Sequence, residues 1–357
     1  MKIGILTFHR AINYGAVLQC FALQEVLKEF GHEVWLIDYR QARVEKTDRC
    51  IFSTRERFNF LLTGHLRTFL NYNRSKTIRE SIYKRFDNYL NNFFCLTNSC
   101  SKDAIPQNFD IYIIGSDQVW NTNICDGLDP VFWGDFQKDD SSKLIAYAAS
   151  TSLENLGKIE NDVLKRHLLS FSNISVRERK IANFLNARSL LSFEVKTVLD
   201  PSLLVNSSVW DSMIDSKVND GDYVLYFGVR PCLSRSNVLE VKANKLARKI
   251  GANVKTINFE TDSPEDFVSK FRFAKAVITS SFHGVAFSLI FNKNLYAIKY
   301  GDEQDARYCD LLNEIHAEHL LYGIDMDNEE FCDVDYKLIN SSLSELRRSS
   351  FKFLKSL

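Results

Sequence analysis

The sequence predicts an α/β protein of two doubly wound domains that face each other across a cleft, with a helix closing the C-terminus. Three observations predict it. The 357 residues exceed what one core comfortably fills. Apolar strand-like runs alternate with helical runs in both halves of the chain. Small polar turns recur where strands give way to helices, the sheet edge at which such folds bind ligands.

The first strand is the apolar run Lys2–Phe8, and it opens into His9-Arg10-Ala11-Ile12-Asn13-Tyr14-Gly15-Ala16. Val17–Phe30 follows with Val17, Leu18, Phe21, Leu23, Val26, Leu27 and Phe30 at helical spacing, and Gly31 is its stop signal. Glu33–Asp38 is the next strand. The turn lacks the G-x-G-x-x-G pattern, so it gives no reason to expect a dinucleotide.

A segment of about residues 40–90 then interrupts the alternation. It is rich in Arg and Lys, interleaved with Phe and Leu, and poor in acids. Strands at Ile111–Ile114 and Lys143–Ala148 end in Gly115-Ser116-Asp117-Gln118-Val119-Trp120-Asn121 and Ala149-Ser150-Thr151-Ser152. Asn161–Phe171 has helical spacing, Ile174–Val176 is a short strand leading into Arg177-Glu178, and Val195–Leu199 is a strand closed by Asp200-Pro201. The first domain is expected over 1–205 and the second over 206–357.

The second half repeats the pattern. Tyr223–Val229 is a strand ending at Arg230, Val238–Ile250 a helix stopped by Gly251, and Asn253–Ile257 a strand. Pro264 sits at a helix start. Ala276–Ile278 then runs into Thr279-Ser280-Ser281-Phe282-His283-Gly284 and a helix over Val285–Phe291. Asn294–Ile298 is the next strand, and a helix from about Ser341 closes the chain.

Composition excludes several classes. Forty-five basic and 45 acidic residues give zero formal charge, so no global field recruits nucleic acid. Twenty-seven Phe against five Pro argue for packed cores. The eight cysteines include no C-x-x-C pair, and His316 and His319 have no evident third ligand, so no metal is expected. No apolar run approaches the ~20 residues of a membrane span. The N-terminal strand is too polar for a signal sequence. Together these lead us to expect a reducing cytoplasm.

The turn around His283 carries the most chemistry. A helix N-terminus offers backbone N–H groups and a dipole that favour an anion, and a histidine there can hold a proton near neutral pH. The serines are not flanked by glycine as in a nucleophile elbow. Other polar positions leave two readings open. Asp117 either accepts a proton from a hydroxyl or caps a helix. Arg177 either grips an anion or pairs with Glu178. Asn13, Tyr14 and Gly15 either meet a ligand or form a tight turn, and Trp120 either offers a ring face to a ligand or fills the core.

In order and spacing, Asn13–Ala16, Ile113–Asn121, Ala146–Ser150, Ile174–Glu178, Val198–Leu204 and Ile278–Lys293 resemble the polysaccharide pyruvyl transferase family. The resemblance spans nearly the whole chain outside Thr47–Asn73. It implies a Rossmann-like, GT-B-like two-domain fold. It implies transfer of pyruvate from phosphoenolpyruvate to a sugar, in a glycan or a lipid-linked saccharide, as a cyclic ketal in surface polysaccharide synthesis, with no cofactor.

On that footing His283 is the expected acid and Asp117 its catalytic companion. Ser281, Phe282, Gly284, Arg177, Arg230 and Arg307 are the expected donor contacts, and Asn13, Tyr14, Gly15 and Trp120 the acceptor contacts. One departure stands out. Many relatives carry Arg two residues before the histidine, where this chain has Ser281, so the cation must come from Arg177, Arg230 or Arg307. A nucleotide-sugar glycosyltransferase and a non-catalytic glycan-binding protein are the rival readings. The basic 40–90 segment is read either as a peripheral contact with an anionic membrane or as a solvated helical face.

Overall fold

The computed structural model describes residues 1–49, 66–229, 233–325 and 334–357. The chain divides into two units, one of 1–200 with 259–264 and Leu357, the other of 201–258 with 265–356.

The first unit is built on six parallel strands. They are β1 (Lys2–Leu6), β2 (Glu33–Leu36), β3 (Ile111–Ile114), β4 (Lys143–Ala149), β5 (Asn173–Val176) and β6 (Lys196–Thr197), in the order β2-β1-β3-β4-β5-β6. The order reverses between β1 and β3. With right-handed crossovers, that reversal puts connecting helices on opposite faces. The central strands read as apolar runs because both faces are covered, and every residue of β3 is buried. At the edge, β6 shrinks to two residues.

Helix α1 (Tyr14–Glu29) starts three residues before the apolar spacing does, because the Asn13 side chain caps the Ala16 N–H at 3.3 Å. It ends as expected at Gly31, whose φ of +81° suits glycine. The 40–90 segment contains α2 (Ala42–Arg49) and the 28-residue α3 (Leu66–Phe93). Ile82, Tyr83, Phe86, Tyr89 and Leu90 of α3 are buried, and Phe93 packs edge-on against Phe21 of α1. The end of the basic segment is therefore part of the first core. Arg55 and Arg57 lie outside the described residues. Four shorter helices follow: α4 (Thr122–Cys125), α5 (Leu153–Gly157), α6 (Asn161–Leu168) and α7 (Arg179–Ala187).

The second unit repeats the plan with five parallel strands. These are β7 (Tyr223–Phe227), β8 (Asn253–Thr256), β9 (Ala276–Thr279), β10 (Asn294–Lys299) and β11 (Leu321–Gly323), in the order β11-β10-β9-β7-β8. Its reversal falls between β7 and β9. The helices are α8 (Leu233–Ile250), α9 (Pro264–Phe273), α10 (Phe282–Ile290), α11 (Ala306–Glu314) and α12 (Tyr336–Lys355).

Phe227, Phe267, Phe271 and Phe287 meet ring to ring with Trp210, which accounts for much of the phenylalanine content. Helix α12 begins five residues before the expected Ser341 because Asp335 caps the Lys337 N–H at 2.9 Å. It buries Ile339, Leu343, Phe353 and Leu354 along one stripe, each worth about 1.5–3 kcal/mol of apolar burial. Both units are thus α/β Rossmann-like folds, the class the alternation predicts. Among the described residues, no helix is long and apolar enough to cross a membrane, and no cluster of His, Cys, Asp and Glu is arranged to hold a metal.

Candidate functional site

In a sheet of this order the loops that diverge at the reversal leave an opening at the carboxyl ends of the strands. In the first unit those loops follow β1 and β3, and Thr7 ties them together. Its hydroxyl donates to Ser116 O at 2.9 Å and accepts from Gln19 Nε2 at 3.2 Å. Gly115 has φ +106°, and a Cβ there would sit 2.5 Å from Tyr147 O, so only glycine lets the chain pass. Asp117 follows, also at positive φ (72°). Its carbonyl accepts from Val119 and Ser150 N–H, and its Oδ1 accepts from Gln118 N–H at 2.8 Å.

Arg177, from the end of β5, is buried at this edge. Its Nη1 donates to Asp200 Oδ2 at 2.9 Å, its Nε to Glu178 Oε1 at 3.1 Å and its Nη2 to Ser150 Oγ at 3.0 Å. Asp117 Oδ1 lies 4.0 Å from Nη2. Burial alone would lower the pKa of Arg177, but the Glu178, Asp200 and Asp117 carboxylates outweigh it and hold the guanidinium firmly charged. Arg177 as an anion clamp is therefore corrected. Its Nε, Nη1 and Nη2 each meet an internal partner, and Asp200, Glu178 and Asp117 set three carboxyl groups around one guanidinium.

Glu178 Oε2 and Thr151 Oγ1 are buried with no hydrogen-bond partner among the described residues. Such atoms are costly unless a donor reaches them. Sequence reasoning places Glu178 only as an ion-pair partner of Arg177 and gives Thr151 no role.

Two acceptor expectations are also corrected. Trp120 is fully buried, stacked on Trp133 with centroids 4.9 Å apart, and its Nε1 donates to Phe132 O at 2.9 Å. It has no face to offer a sugar. Tyr14 is 1% exposed, donates its hydroxyl to Asp262 O at 3.0 Å and packs on Phe86 and Phe259. Asn13 remains exposed while capping α1, and Gly15 is buried within the helix.

A second polar cluster at this edge went unread. Asp38, just past β2, accepts from His9 Nε2, Arg10 Nε and Nη2, and Arg40 Nη2 at 2.7–3.2 Å. Burial would raise the pKa of Asp38, but the hydrogen bonds from His9 and Arg10 hold it far below the usual carboxylate range. Burial pulls the His9 imidazole down, with Asp38 opposing. The available signal was a polar His-Arg pair directly after one strand and an Asp ending its neighbour.

The second unit builds its edge differently. Thr279, the last residue of β9, donates its hydroxyl to Phe227 O across the reversal at 2.7 Å and accepts Ser281 N–H at 3.1 Å. Ser281 is then the extended residue before α10, and its side chain makes no capping bond. Phe282, His283 and Gly284 form the first helical turn rather than a loop. Gly284 is obligatory there, since a Cβ would come within 2.1 Å of Thr279 Oγ1. Phe282 is buried and packs edge-on against the half-buried His283, with centroids 5.2 Å apart. The first turn of an α-helix directs its N–H groups toward whatever lies before it, so His283 stands at a built anion-favouring terminus. Arg307 is half-buried in α11, and Arg230 lies outside the described residues. Asp117 and His283 belong to different units.

Comparisons with known proteins give the following. The family model described as polysaccharide pyruvyl transferase matches residues 13–302. Curated protein sequences returned no match. Among solved structures, the chain is similar to a UDP-GlcNAc 2-epimerase of Methanocaldococcus jannaschii at 10% identity and TM-score 0.46, over 98% of this chain and 100% of that one. It is similar to Staphylococcus aureus MnaA with UDP at 10% identity and TM-score 0.44, over 97% and 87%. The Escherichia coli heptosyltransferase WaaC with ADP follows at 11% identity and TM-score 0.36, over 97% and 100%.

Proposed function

The chain belongs to the polysaccharide pyruvyl transferase family, and from that premise we propose that it moves pyruvate from phosphoenolpyruvate onto two hydroxyls of a saccharide. The product is a cyclic ketal on a surface-polysaccharide precursor, its acceptor sugar carried on a lipid. The observation that carries the reading is His283 in the first turn of α10, directly after β9 at the sheet reversal.

Phosphoenolpyruvate presents a carboxylate and a phosphate, and its enol methylene must gain a proton before its C2 is electrophilic. An imidazolium at a helix N-terminus suits both needs, as anion partner and as acid. The first acceptor hydroxyl adds to C2 and gives up its proton. Phosphate then departs with the C–O bonding pair, leaving an oxocarbenium ion, and the second hydroxyl closes the ring and loses its own proton. One proton enters at carbon and two leave from oxygen, so phosphoenolpyruvate and a diol yield the ketal and phosphate.

With Arg177 engaged internally, donor charge falls to His283, the α10 terminus, and Arg230 or Arg307. The acidic edge of the first unit suits hydroxyls instead. Asp117 is the group for the hydroxyl proton, and Glu178 Oε2 and Thr151 Oγ1 are acceptors in want of donors. The test is incubation with isotope-labelled phosphoenolpyruvate and lipid-linked saccharides. Label in an acid-labile ketal with matching phosphate release is expected. Sugar incorporation from a nucleotide donor, or neither reaction across the acceptors, overturns the reading.

A further inference from the structure

The last three turns of α12 border a cavity of about 720 Å³ that the proposed chemistry does not use. Arg347, Arg348, Lys352 and Lys355 line it, with Phe351, Asn206 and two serines, and no carboxylate lines it. Among the described residues, no acid pairs with Arg347, Arg348 or Lys352. The helix dipole favours Lys352 and Lys355 in the final turn. It does not account for Arg347 and Arg348, which stand before that turn, and Arg348 and Lys352 repel as an i,i+4 pair of like charge.

Arg347 is the most telling of the four. It is half-buried, and its Nε donates to Leu203 O at 2.5 Å, which fixes the guanidinium plane. Burial lowers its pKa with no carboxylate to oppose it. A planar arginine held from behind, flanked by a second arginine and two lysines, matches the oxygens of a tetrahedral anion.

We propose that this recess binds a phosphate-bearing ligand with two or more negative charges. Asn206 adds a neutral donor, the Ser344 and Ser356 hydroxyls being bonded to Asn340 O and Phe353 O, and Phe351 adds an apolar wall for the group that carries the phosphate. The site lies wholly in the second unit and does not depend on the pyruvyl-transfer reading. The phosphate could belong to a soluble diphosphate or to the headgroup of an anionic lipid, and the two sources separate experimentally.

The test is calorimetry of the full chain with inorganic pyrophosphate, beside flotation with phosphatidylcholine vesicles lacking or containing phosphatidylglycerol. Each is repeated with Arg348→Gln/Lys352→Gln, two exposed positions whose loss leaves the fold intact, as unchanged thermal unfolding verifies. Wild-type binding to at least one probe is expected, weakened by salt and by at least about tenfold in the double variant. Pyrophosphate binding assigns a soluble ligand, and vesicle binding alone assigns a lipid headgroup. Absence of binding to both probes, or equal binding by the variant, overturns the proposal.

Discussion

The two units share one strand order and place polar groups at the same topological point, yet they spend charge in opposite ways. At the first edge, Arg177 is enclosed by Asp200, Glu178 and Ser150 with Asp117 nearby, and Asp38 gathers His9, Arg10 and Arg40. At the second, Thr279 and two serines shape the approach to a helix terminus that carries His283. An edge with its cation already compensated cannot neutralise a trianionic donor but can accept hydrogen bonds from hydroxyls. An edge built of N–H groups and an imidazole does the reverse. The same fold thereby builds one edge of compensated ion pairs and one of helix N–H groups beside an imidazole.

The largest expected effect tests whether Arg177 is internal. Arg177→Ala leaves Asp200 and Glu178 without their cation, which costs about 3–5 kcal/mol when a buried pair is broken from one side. Urea unfolding should show the loss, with Arg177→Lys intermediate because an ammonium cannot serve three partners in a plane. Full stability in Arg177→Ala combined with lost phosphoenolpyruvate affinity would restore the clamp and dissolve the contrast between the edges.

Nearly as large is the effect of His283→Ala, which should lower turnover about 10²–10⁴-fold through loss of the acid while unfolding stays close to that of the parent. Rate measurements at saturating phosphoenolpyruvate check it. Retained turnover in a folded His283→Ala would move the acid elsewhere.

Gly284→Ala is intermediate. The new methyl meets Thr279 Oγ1 at 2.1 Å, and Thr279 is pinned by Phe227 O, so the first turn of α10 must shift at a cost of about 1–3 kcal/mol. Thermal unfolding should fall accordingly, and a neutral outcome would mean that the terminus is looser than its hydrogen bonds suggest.

Acid should loosen the first edge as well. Asp38 is held below its unfolded value of 3.8, so its stabilisation is present above that pH and is lost as pH falls beneath it. His9 is also lowered, from 6.5, so the unfolded chain takes up its proton first as pH drops and stability begins to fall there. Asp38→Asn should flatten the lower limb of the stability–pH curve, measured by urea midpoints. An unchanged curve would place the acid sensitivity in other groups.

Strand and helix alternation was legible because parallel strands buried on both faces are short apolar runs, and Ile111–Ile114 appears unshifted as β3. The position of the polar turns was legible for the same reason, since they begin where those runs stop. What escaped was set by partners distant in sequence. The engagement of Arg177 depends on Asp200, 23 residues on, and that of Trp120 on Trp133. Phe282-His283-Gly284 reads as a loop because glycine is a poor helix former, and only the Thr279 side chain beneath it shows why a helix must begin with one. The 40–90 segment was legible as a helical face but not as core, because the buried Ile82, Tyr83, Phe86, Tyr89 and Leu90 of α3 lie among basic residues that suggest a solvated surface.

The smallest expected effect concerns Tyr14, where the acceptor reading and the packing reading part most finely. Its hydroxyl reaches the Asp262 carbonyl, and its ring lies against Phe86 and Phe259, so Tyr14→Phe removes one neutral hydrogen bond and keeps the packing. That change should cost about 0.5–1.5 kcal/mol of stability, read as a small shift in the urea midpoint, with KM for the saccharide unchanged. A sugar hydroxyl bound by Tyr14 would give the opposite split, with raised KM and an unmoved midpoint. The second outcome would return Tyr14 to the acceptor surface and show that the aromatic packing opens when ligand arrives. The first would keep Tyr14 in the core and leave Asp117, Glu178 and Thr151 as the candidates at this edge to test next against a hydroxyl ligand.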